Sequence, residues 1–231
     1  MKIGIIGAGQ IGGTLTRRLA SLGHEVFVAN SRGPETLAAL ASETGAKAVT
    51  VSEAARTGEV VVVTIPEGKI RDLPKDLFTG VPEEVVVVDT GNYYPRERDG
   101  RIEEIENGMM ESRWVERQLG RPVVKAFNTI YASHLMEYGR PAGSPGRFAL
   151  PIAGDDERAK KIVIRLLSEL GFDGVDAGGI DESWRQQPGT PVYGADLDAG
   201  GVRRALAQAS SERTPRWRAT NNSPGTFVRP A

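Results

Sequence analysis

Short runs of apolar residues alternate with amphipathic segments from residue 2 to about residue 178. The runs are rich in Val and Ile, a composition typical of buried parallel strands. Between them, apolar residues recur three or four positions apart, as on one face of a helix. Strands that alternate with helices predict an α/β fold with a doubly wound, mostly parallel sheet of the Rossmann type. The predicted strands span residues 2–7, 25–30, 46–51, 59–66, 83–92, 121–130, 148–154 and 172–179.

The helix predicted over residues 155–171 has the clearest amphipathic pattern in the chain. Asp155 is its expected N-cap, and Gly171 is expected to end it. Further helices are expected over residues 34–45 and around residues 110–119, in addition to the helix that follows the first strand.

The composition changes after residue 180. Gly, Pro, Ser, Gln and Asn become frequent there, and only residues 199–210 have the pattern of a short helix. We therefore predict two parts: a cofactor-binding domain over residues 1–180, and an extension over residues 181–231 that packs on this domain or on a dimer partner. The last residues are expected to form a flexible tail.

Charge and cysteine content narrow the functional classes. The 231 residues carry 29 basic and 30 acidic side chains, so nothing favours nucleic acid or a membrane surface as partner. Cysteine is absent and the two histidines are isolated, which excludes disulfides and thiolate chemistry and argues against a metal site. No apolar run approaches the ~20 residues of a membrane span. The first residues enter a strand and do not resemble a signal peptide, so we expect a cytoplasmic protein.

Three glycines between the first predicted strand and the following helix fit the spacing G-x-G-x-x-G. In a dinucleotide site, Gly7 would make the tight turn, Gly9 would let the backbone approach the pyrophosphate, and Gly12 would permit close packing of helix on strand. The N-terminus of the helix would then face the phosphates. The spacing alone is common, but its place between a strand and a helix predicts a cofactor over Gly7, Gly9, Gln10, Ile11 and Gly12.

Asn30, Ser31 and Arg32 stand where NAD-preferring sites place Asp or Glu, at the end of the second predicted strand. A carboxylate there would repel a 2′-phosphate, whereas Arg and Ser can bind one. The alternative is a solvated surface turn, and Glu35 would oppose a phosphate unless it points away. We predict NADP(H) as the cofactor, bound by these three residues.

Ligands of an open α/β sheet bind outside the carboxyl ends of its strands. Four predicted strand ends carry residues that could contact a bound ligand: 64–66, Asn92, Asn128 and 153–155. The first could line the ribose and one nicotinamide face, and the two asparagines could hydrogen-bond the carboxamide or an acceptor. Each polar residue alone is equally well explained by a turn or a helix cap, but their convergence at one edge favours a binding site.

No residue is assigned to proton transfer. The sequence offers no Ser/His/Asp set and no paired carboxylates, and Lys69 and Lys125 are candidates only by elimination, with a solvated role expected for both. Hydride transfer between two bound rings can proceed through stacking and alignment. A carbonyl or imine reductase would more often show a recognisable acid.

Several of these stretches resemble the coenzyme F420-dependent NADP oxidoreductase family. The glycine fingerprint, the NSR loop, the TIP strand end and the run VVKAFNTI (123–130) carry the likeness, which extends to about residue 178. The same stretches resemble the N-terminal oxidoreductase domain of the STEAP metalloreductases, where NADPH passes hydride to a flavin. Residues from 183 onward depart from the deazaflavin enzymes, and Asn128 stands where some of those enzymes carry a histidine.

The resemblance implies NADPH along the strand ends, with a deazaflavin (F420) or flavin (FMN or FAD) ring stacked on its nicotinamide. Ser31 and Arg32 would hold the 2′-phosphate. The protein would be an NADP(H)-dependent oxidoreductase that exchanges hydride with F420 or a flavin, and a homodimer is the expected assembly. The residues implied around the reacting rings are Thr64, Ile65, Pro66, Asn128 and Ile130.

Two other functions stay open. One is an NADPH-dependent reductase of a small carbonyl or imine substrate; relatives of that type usually add a long helical domain, whereas about fifty residues follow the last predicted strand here. The other is a non-catalytic NADP(H)-binding sensor whose C-terminal tail contacts a partner.

Overall fold

The computed structural model describes residues 1–223 and residue 225, and a six-stranded parallel sheet lies at their centre. Numbered along the chain, its strands lie in the spatial order 3-2-1-4-5-6, the order of the doubly wound dinucleotide-binding fold. The predicted fold class is therefore confirmed. The strands are β1 (Lys2–Ile6), β2 (Glu25–Ala29), β3 (Lys47–Ala48), β4 (Val60–Val63), β5 (Val86–Asp89) and β6 (Val124–Lys125).

Helices cover both faces of the sheet because alternate strand residues face opposite sides. Ile3 and Ile5 of β1 pack in one core with the helices over residues 10–21, 132–137 and 157–169. Ile6 packs in a second core with the helices over residues 51–57 and 111–119. Within the described residues, no helix combines the length and hydropathy needed to cross a lipid bilayer. The α-helices are α1 (Gln10–Ser21), α2 (Ala38–Thr44), α3 (Val51–Thr57), α4 (Glu103–Glu106), α5 (Glu111–Leu119), α6 (Ala132–Glu137), α7 (Glu157–Glu169) and α8 (Ala199–Gln208).

Two predicted strands are much shorter in the structure. Residues 121–130 contribute only Val124–Lys125 to the sheet, since the backbone leaves it at Phe127, whose φ is 61°. Residues 46–51 contribute only Lys47–Ala48, because Thr50 and Glu53 form a capping box that starts α3. This helix was not predicted, although the T-x-x-E spacing was present. The segment 34–45 is a 3₁₀ turn followed by α2 and ends at Gly45.

A second, two-stranded parallel sheet consists of β7 (Ala149–Ile152) and β8 (Asp173–Asp176), joined through α7. Just after β7, Ala153 pairs with Lys125 in the antiparallel sense. The chain therefore passes β6 in the opposite direction, and Gly154 lies beside Val124 and Val123, at the start of β6 and not at its carboxyl end. The expectation that 153–155 join the other strand ends is wrong, because the pattern of a strand carries no information on its direction.

The N-cap of α7 is Asp156 and not Asp155, which corrects the prediction. Asp156 Oδ1 accepts hydrogen bonds from the backbone N–H groups of Arg158 (2.8 Å) and Ala159 (3.2 Å). Asp155 Oδ1 instead accepts a hydrogen bond from Ile180 N at 2.9 Å, and this bond fixes the backbone directly before the extension. Two adjacent aspartates compete for this position, and the sequence does not decide between them.

The described part of the extension packs on the rest of the chain. Helix α8 lies close to the predicted 199–210 and packs on β7 and β8 through Val202, Ala205 and Leu206. Further on, Arg96 Nη1 donates to the carbonyl oxygens of Thr220 (3.2 Å) and Ser223 (2.8 Å). The division at residue 180 stays a prediction. A flexible tail was expected for the last residues of the chain. Of these, position 224 and positions 226–231 lie outside the described residues.

Candidate functional site

The three fingerprint glycines have distinct geometric roles. Gly7 has a φ of 110°, a left-handed conformation that favours glycine. A Cβ on Gly12 would lie 1.9 Å from the Gly7 carbonyl oxygen, so α1 approaches β1 this closely only without a side chain there. At Gly9, no described atom lies within 4 Å of the Cβ position, which leaves the backbone open to a ligand.

The N-terminus of α1 opens onto the same place. Gly9 is its N-cap, no side chain caps the helix, and the first turn contains no acidic residue. The first backbone N–H groups of a helix have no partner within it and carry partial positive charge. This end of α1 is thus suited to a phosphate group.

The loop after β2 forms an ordered turn with a free guanidinium. Asn30 Nδ2 donates to Thr36 Oγ1, and Asn30 Oδ1 accepts from Arg32 N, both at 2.9 Å. The Arg32 side chain is exposed and forms no ion pair within the described residues. The Glu35 carboxylate lies against Gly33, where a Cβ would be 2.4 Å from Glu35 Oε1. The loop therefore presents Arg32 without a competing acid bonded to it.

A cavity of about 450 Å³ lies beside this loop. Val51 and Leu73 give it apolar walls, and Lys69 reaches it from the turn after β4. Val51 and Leu73 were not predicted, since each contributes only through the fold, and Lys69 was a candidate only for proton transfer, by elimination. The predicted residues that line this first cavity are Gly7, Gly9, Asn30, Ser31, Thr64, Ile65 and Pro66.

A second cavity, also of about 450 Å³, lies on the other side of residues 64–66. The two cavities share these residues and Gly9, and together follow the carboxyl edge of the parallel sheet. Gly12 and Arg32 lie outside both linings. The predicted residues on the second lining are Gly9, Gln10, Ile11, Thr64, Ile65, Pro66, Asn92, Asn128 and Ile130.

Asn92 and Asn128 form an amide network at the second cavity. Asn128 Nδ2 donates to Asn92 Oδ1 (3.1 Å) and to the Gln186 carbonyl oxygen (2.7 Å). Gln186 Nε2 donates to Asn128 Oδ1 (2.9 Å), and Asn92 Nδ2 donates to the Asn128 carbonyl oxygen (3.0 Å). Both side-chain N–H groups of Asn128 donate hydrogen bonds within this network, whereas one side-chain N–H group of Asn92 does not donate within it. The network fixes this wall, and direct ligand contact by these amides stays a prediction.

The polar side chains of the second cavity that were missed include Tyr94, Arg98 and Tyr193. The two tyrosine hydroxyl groups are hydrogen-bonded to each other, and burial raises the pKa of both phenols. Arg98 lies over the Tyr94 ring, 5.0 Å from its centroid. The run YYPRERD directly after the fifth predicted strand was a usable signal for Tyr94 and Arg98. No comparable signal marks Tyr193.

An ion pair is buried immediately before the cavity-lining residues 90–92. Lys125 Nζ donates to Asp89 Oδ2 at 3.0 Å, and Ser112 Oγ donates to the same oxygen at 2.8 Å. Both charged side chains are 1% exposed. The expectation of a solvated Lys125 is therefore wrong, because the short strand β6 carries it into the interior. Lys69 is exposed, as expected, and pairs with Asp72.

Glu67 is a fully buried carboxyl group beside this ion pair. Its oxygens have no hydrogen-bond partner among the described residues, and Oε2 lies 2.2 Å from where a Cβ of Gly91 would stand. Burial raises the pKa of Glu67 well above its usual range, the Asp89 carboxylate raises it further, and the Lys125 ammonium opposes the effect. The raised pKa favours the protonated, neutral form of the Glu67 carboxyl group, and Lys125 is already bonded to Asp89.

The known proteins that are similar to this chain include the following three. Protein YjhV of Escherichia coli (strain K12) is 45% identical over 76 residues, which are 32% of this chain and 56% of that protein's length. The crystal structure of hypothetical protein SMa0349 from Sinorhizobium meliloti is 32% identical, with a TM-score of 0.70, and the match covers 84% of this chain and 94% of that one.

The third similar protein is a candidate F420-dependent NADP reductase from Arthrobacter sp. FB24. Its crystal structure is 27% identical, with a TM-score of 0.63, and the match covers 79% of this chain and 87% of that one. The sequence profile described as "NADP oxidoreductase coenzyme F420-dependent" matches residues 2–93, from β1 through the end of β5. Residues 2–93 of this chain thus belong to the coenzyme F420-dependent family of NADP oxidoreductases, and the similarity to the Arthrobacter structure supports this assignment.

Proposed function

We propose that this protein transfers hydride between NADP(H) and a deazaflavin (F420) or a flavin. The supporting observation is the pair of cavities that share residues 64–66 at the carboxyl edge of the sheet. An extended dinucleotide would place its adenosine half in the first cavity and its nicotinamide in the second. Ligand cavities of about 300–1,000 Å³ are usual for molecules of this size.

The first cavity and the loop beside it fit NADP(H) better than NAD(H). The N-terminus of α1 and the open backbone at Gly9 would receive the pyrophosphate. Asn30 replaces the acid that would repel a 2′-phosphate, and Arg32 has a guanidinium free to bind one. Ser31, on the cavity lining, would add a hydrogen bond.

The second cavity fits two flat rings. Ile65, Pro66, Phe127, Ile130 and Tyr131 line it with apolar or aromatic surface. NADP(H), when bound, supplies or receives the hydride. The protein would align the rings at ~3–3.5 Å and exclude water, which is the main requirement of such a transfer.

The test is a screen of electron acceptors against NADPH with the full-length protein. We expect NADPH oxidation that depends on both the protein and added F420, FMN or FAD. Gly9→Val should abolish NADPH binding, because its side chain would stand where the pyrophosphate approaches, in space that is otherwise open. Gly200→Val on α8 is the matched control and should bind NADPH normally.

The other functions would give different results. Turnover with a small carbonyl or imine, and none with F420 or flavins, would favour a carbonyl or imine reductase. Tight NADPH binding without turnover of any acceptor would favour a sensor. Either result would overturn the proposed hydride exchange.

A further inference from the structure

Tyr94 and Tyr193 meet at the second cavity from distant parts of the chain. Tyr94 follows β5, whereas Tyr193 belongs to the extension, which is held here by a hydrogen bond from Gly194 N to the Thr129 carbonyl oxygen (3.0 Å). Both side chains are half-buried and line the cavity. Trp217 packs against both rings, with centroid distances of 5.9 Å to Tyr94 and 6.4 Å to Tyr193. The pair is therefore held in place by three segments.

The hydroxyl pair has one hydrogen-bond donor to spare. Two neutral phenols carry two O–H groups, and the bond between Tyr94 and Tyr193 uses one of them. Burial raises the pKa of both phenols, so neither proton is lost near neutral pH. One O–H therefore remains for a ligand in the cavity.

The charged side chains of Arg98 and Asp99 fix the position of the tyrosine pair, and both phenols stay neutral. Asp99 Oδ2 accepts from Tyr94 N at 2.7 Å, and the same carboxylate pairs with Arg98 at 3.2 Å. The Arg98 guanidinium also lies over the Tyr94 ring, where a cation is attracted by the ring face. Arg98 is thus neutralised by Asp99, and the group offered to a ligand is an uncharged O–H.

We propose that the Tyr94–Tyr193 pair binds the hydride acceptor, by donating one O–H to a carbonyl oxygen or ring nitrogen conjugated with the carbon or nitrogen that receives the hydride. This inference rests on the proposed function. It narrows the acceptor to flat conjugated heterocycles that carry such a group, which deazaflavins and flavins share. Both tyrosines lie outside residues 2–93, the range that the family profile matches.

The pair acts as a donor and not as an acid. The hydride takes a proton and two electrons from the dihydronicotinamide, which becomes the oxidised nicotinamide. The conjugated oxygen or nitrogen of the acceptor gains negative charge until a proton arrives from solvent, and the phenols keep their own protons. A fixed neutral O–H at that atom stabilises the developing charge more than the uncharged starting ring.

The experiment measures binding as well as turnover in Tyr94→Phe, Tyr193→Phe and the double variant. Flavin or deazaflavin fluorescence gives the affinity for oxidised FMN or F420, and a separate titration gives the affinity for NADPH. We expect the double variant to lose about tenfold in acceptor affinity, as for one neutral hydrogen bond, with NADPH affinity within about twofold. Tyr138→Phe is the control, since Tyr138 is 43% exposed and lies outside this cavity.

Different results separate this inference from the proposed function. Acceptor affinity in the double variant equal to that of the wild type would overturn the inference alone. Equal losses of NADPH affinity, acceptor affinity and thermal stability in the double variant and both single variants would also overturn it, since the pair would then be structural. A wild-type protein that neither binds nor reduces F420, FMN or FAD would overturn both.

Discussion

Lys125 and Asp89 are cross-strand partners at the ends of β6 and β5, and their side chains form an ion pair. Each of the two side chains is only 1% exposed. Ser112 Oγ and Gly91 N donate to the same carboxylate, at 2.8 Å each. A buried pair is stable when further hydrogen bonds satisfy its remaining atoms. The pair thus anchors the strand end from which residues 90–92 enter the second cavity.

Replacement of one partner should be costly. Lys125→Met is expected to lower the free energy of unfolding by about 3–5 kcal/mol, because Asp89 is left charged and buried without its counterion. Equilibrium unfolding in urea, followed by circular dichroism, measures the change. Lys69→Met is the control; its pair with Asp72 is exposed, and about 0–1 kcal/mol is expected. Equal losses in the two variants would show that Asp89 is not a buried charge.

The neutral Glu67 predicts a pH dependence of stability. Its pKa is raised in the folded protein, chiefly by burial and then by Asp89, whereas the unfolded chain has the ordinary value near 4.5. Above that value the folded state binds more protons at Glu67 than the unfolded state, so the stability from this site falls as pH rises. The loss is about 1.4 kcal/mol per pH unit until the folded-state pKa is reached.

Glu67→Gln replaces the neutral acid by a neutral amide of similar shape and removes this dependence. Its free energy of unfolding relative to the wild type is expected to increase from pH 5 to pH 8, as measured by urea unfolding at each pH. Glu104→Gln, at an exposed position of α4, is the control and should show no such trend. A constant difference between Glu67→Gln and wild type across this range would mean that Glu67 is ionised in the folded protein.

Local signals account for most of what the sequence predicted correctly. The strands β1, β2, β4 and β5 are continuous apolar runs. The glycine fingerprint and the NSR loop are each short motifs of consecutive residues. The failed predictions have both local and distant causes. The strand β6 ends after two residues because Phe127 adopts a φ of 61°, and the direction of β7 follows from its pairing beside β6.

The candidate site likewise contains residues that local signals predicted and residues whose place depends on distant parts of the chain. The residues predicted at 64–66, Asn92 and Asn128 come together, because the carboxyl ends of parallel strands share one edge. Tyr193 and Gln186 reach this edge from the extension, where the sequence has neither a strand nor a fingerprint to place them. The burial of Lys125 depends on its cross-strand partner Asp89, thirty-six residues away.

The amide network at the second cavity predicts a loss of stability in Gln186→Leu. Its side-chain N–H groups donate to Asn128 Oδ1 at 2.9 Å and to the Pro151 carbonyl oxygen at 3.3 Å. Leucine leaves both acceptors unpaired, at an expected cost of about 1–3 kcal/mol in urea unfolding. Gln208→Leu, at an exposed position near the end of α8, is expected to stay within about 0.5 kcal/mol of the wild type. A Gln186→Leu protein as stable as that control would indicate that water or rearrangement satisfies the two oxygens.

Arg32→Ala tests which dinucleotide the first cavity prefers. The Arg32 guanidinium is exposed and unpaired within the described residues, so its removal should leave the fold and the turn around Asn30 intact. Loss of charged hydrogen bonds to a 2′-phosphate is expected to weaken NADPH binding roughly 10- to 100-fold, whereas NADH, which lacks that phosphate, should change by less than about threefold. Titration of both dinucleotides by fluorescence gives the two ratios, with Arg203→Ala on α8 as the control. Equal weakening of NADPH and NADH would place Arg32 against the adenine or pyrophosphate and not against the 2′-phosphate.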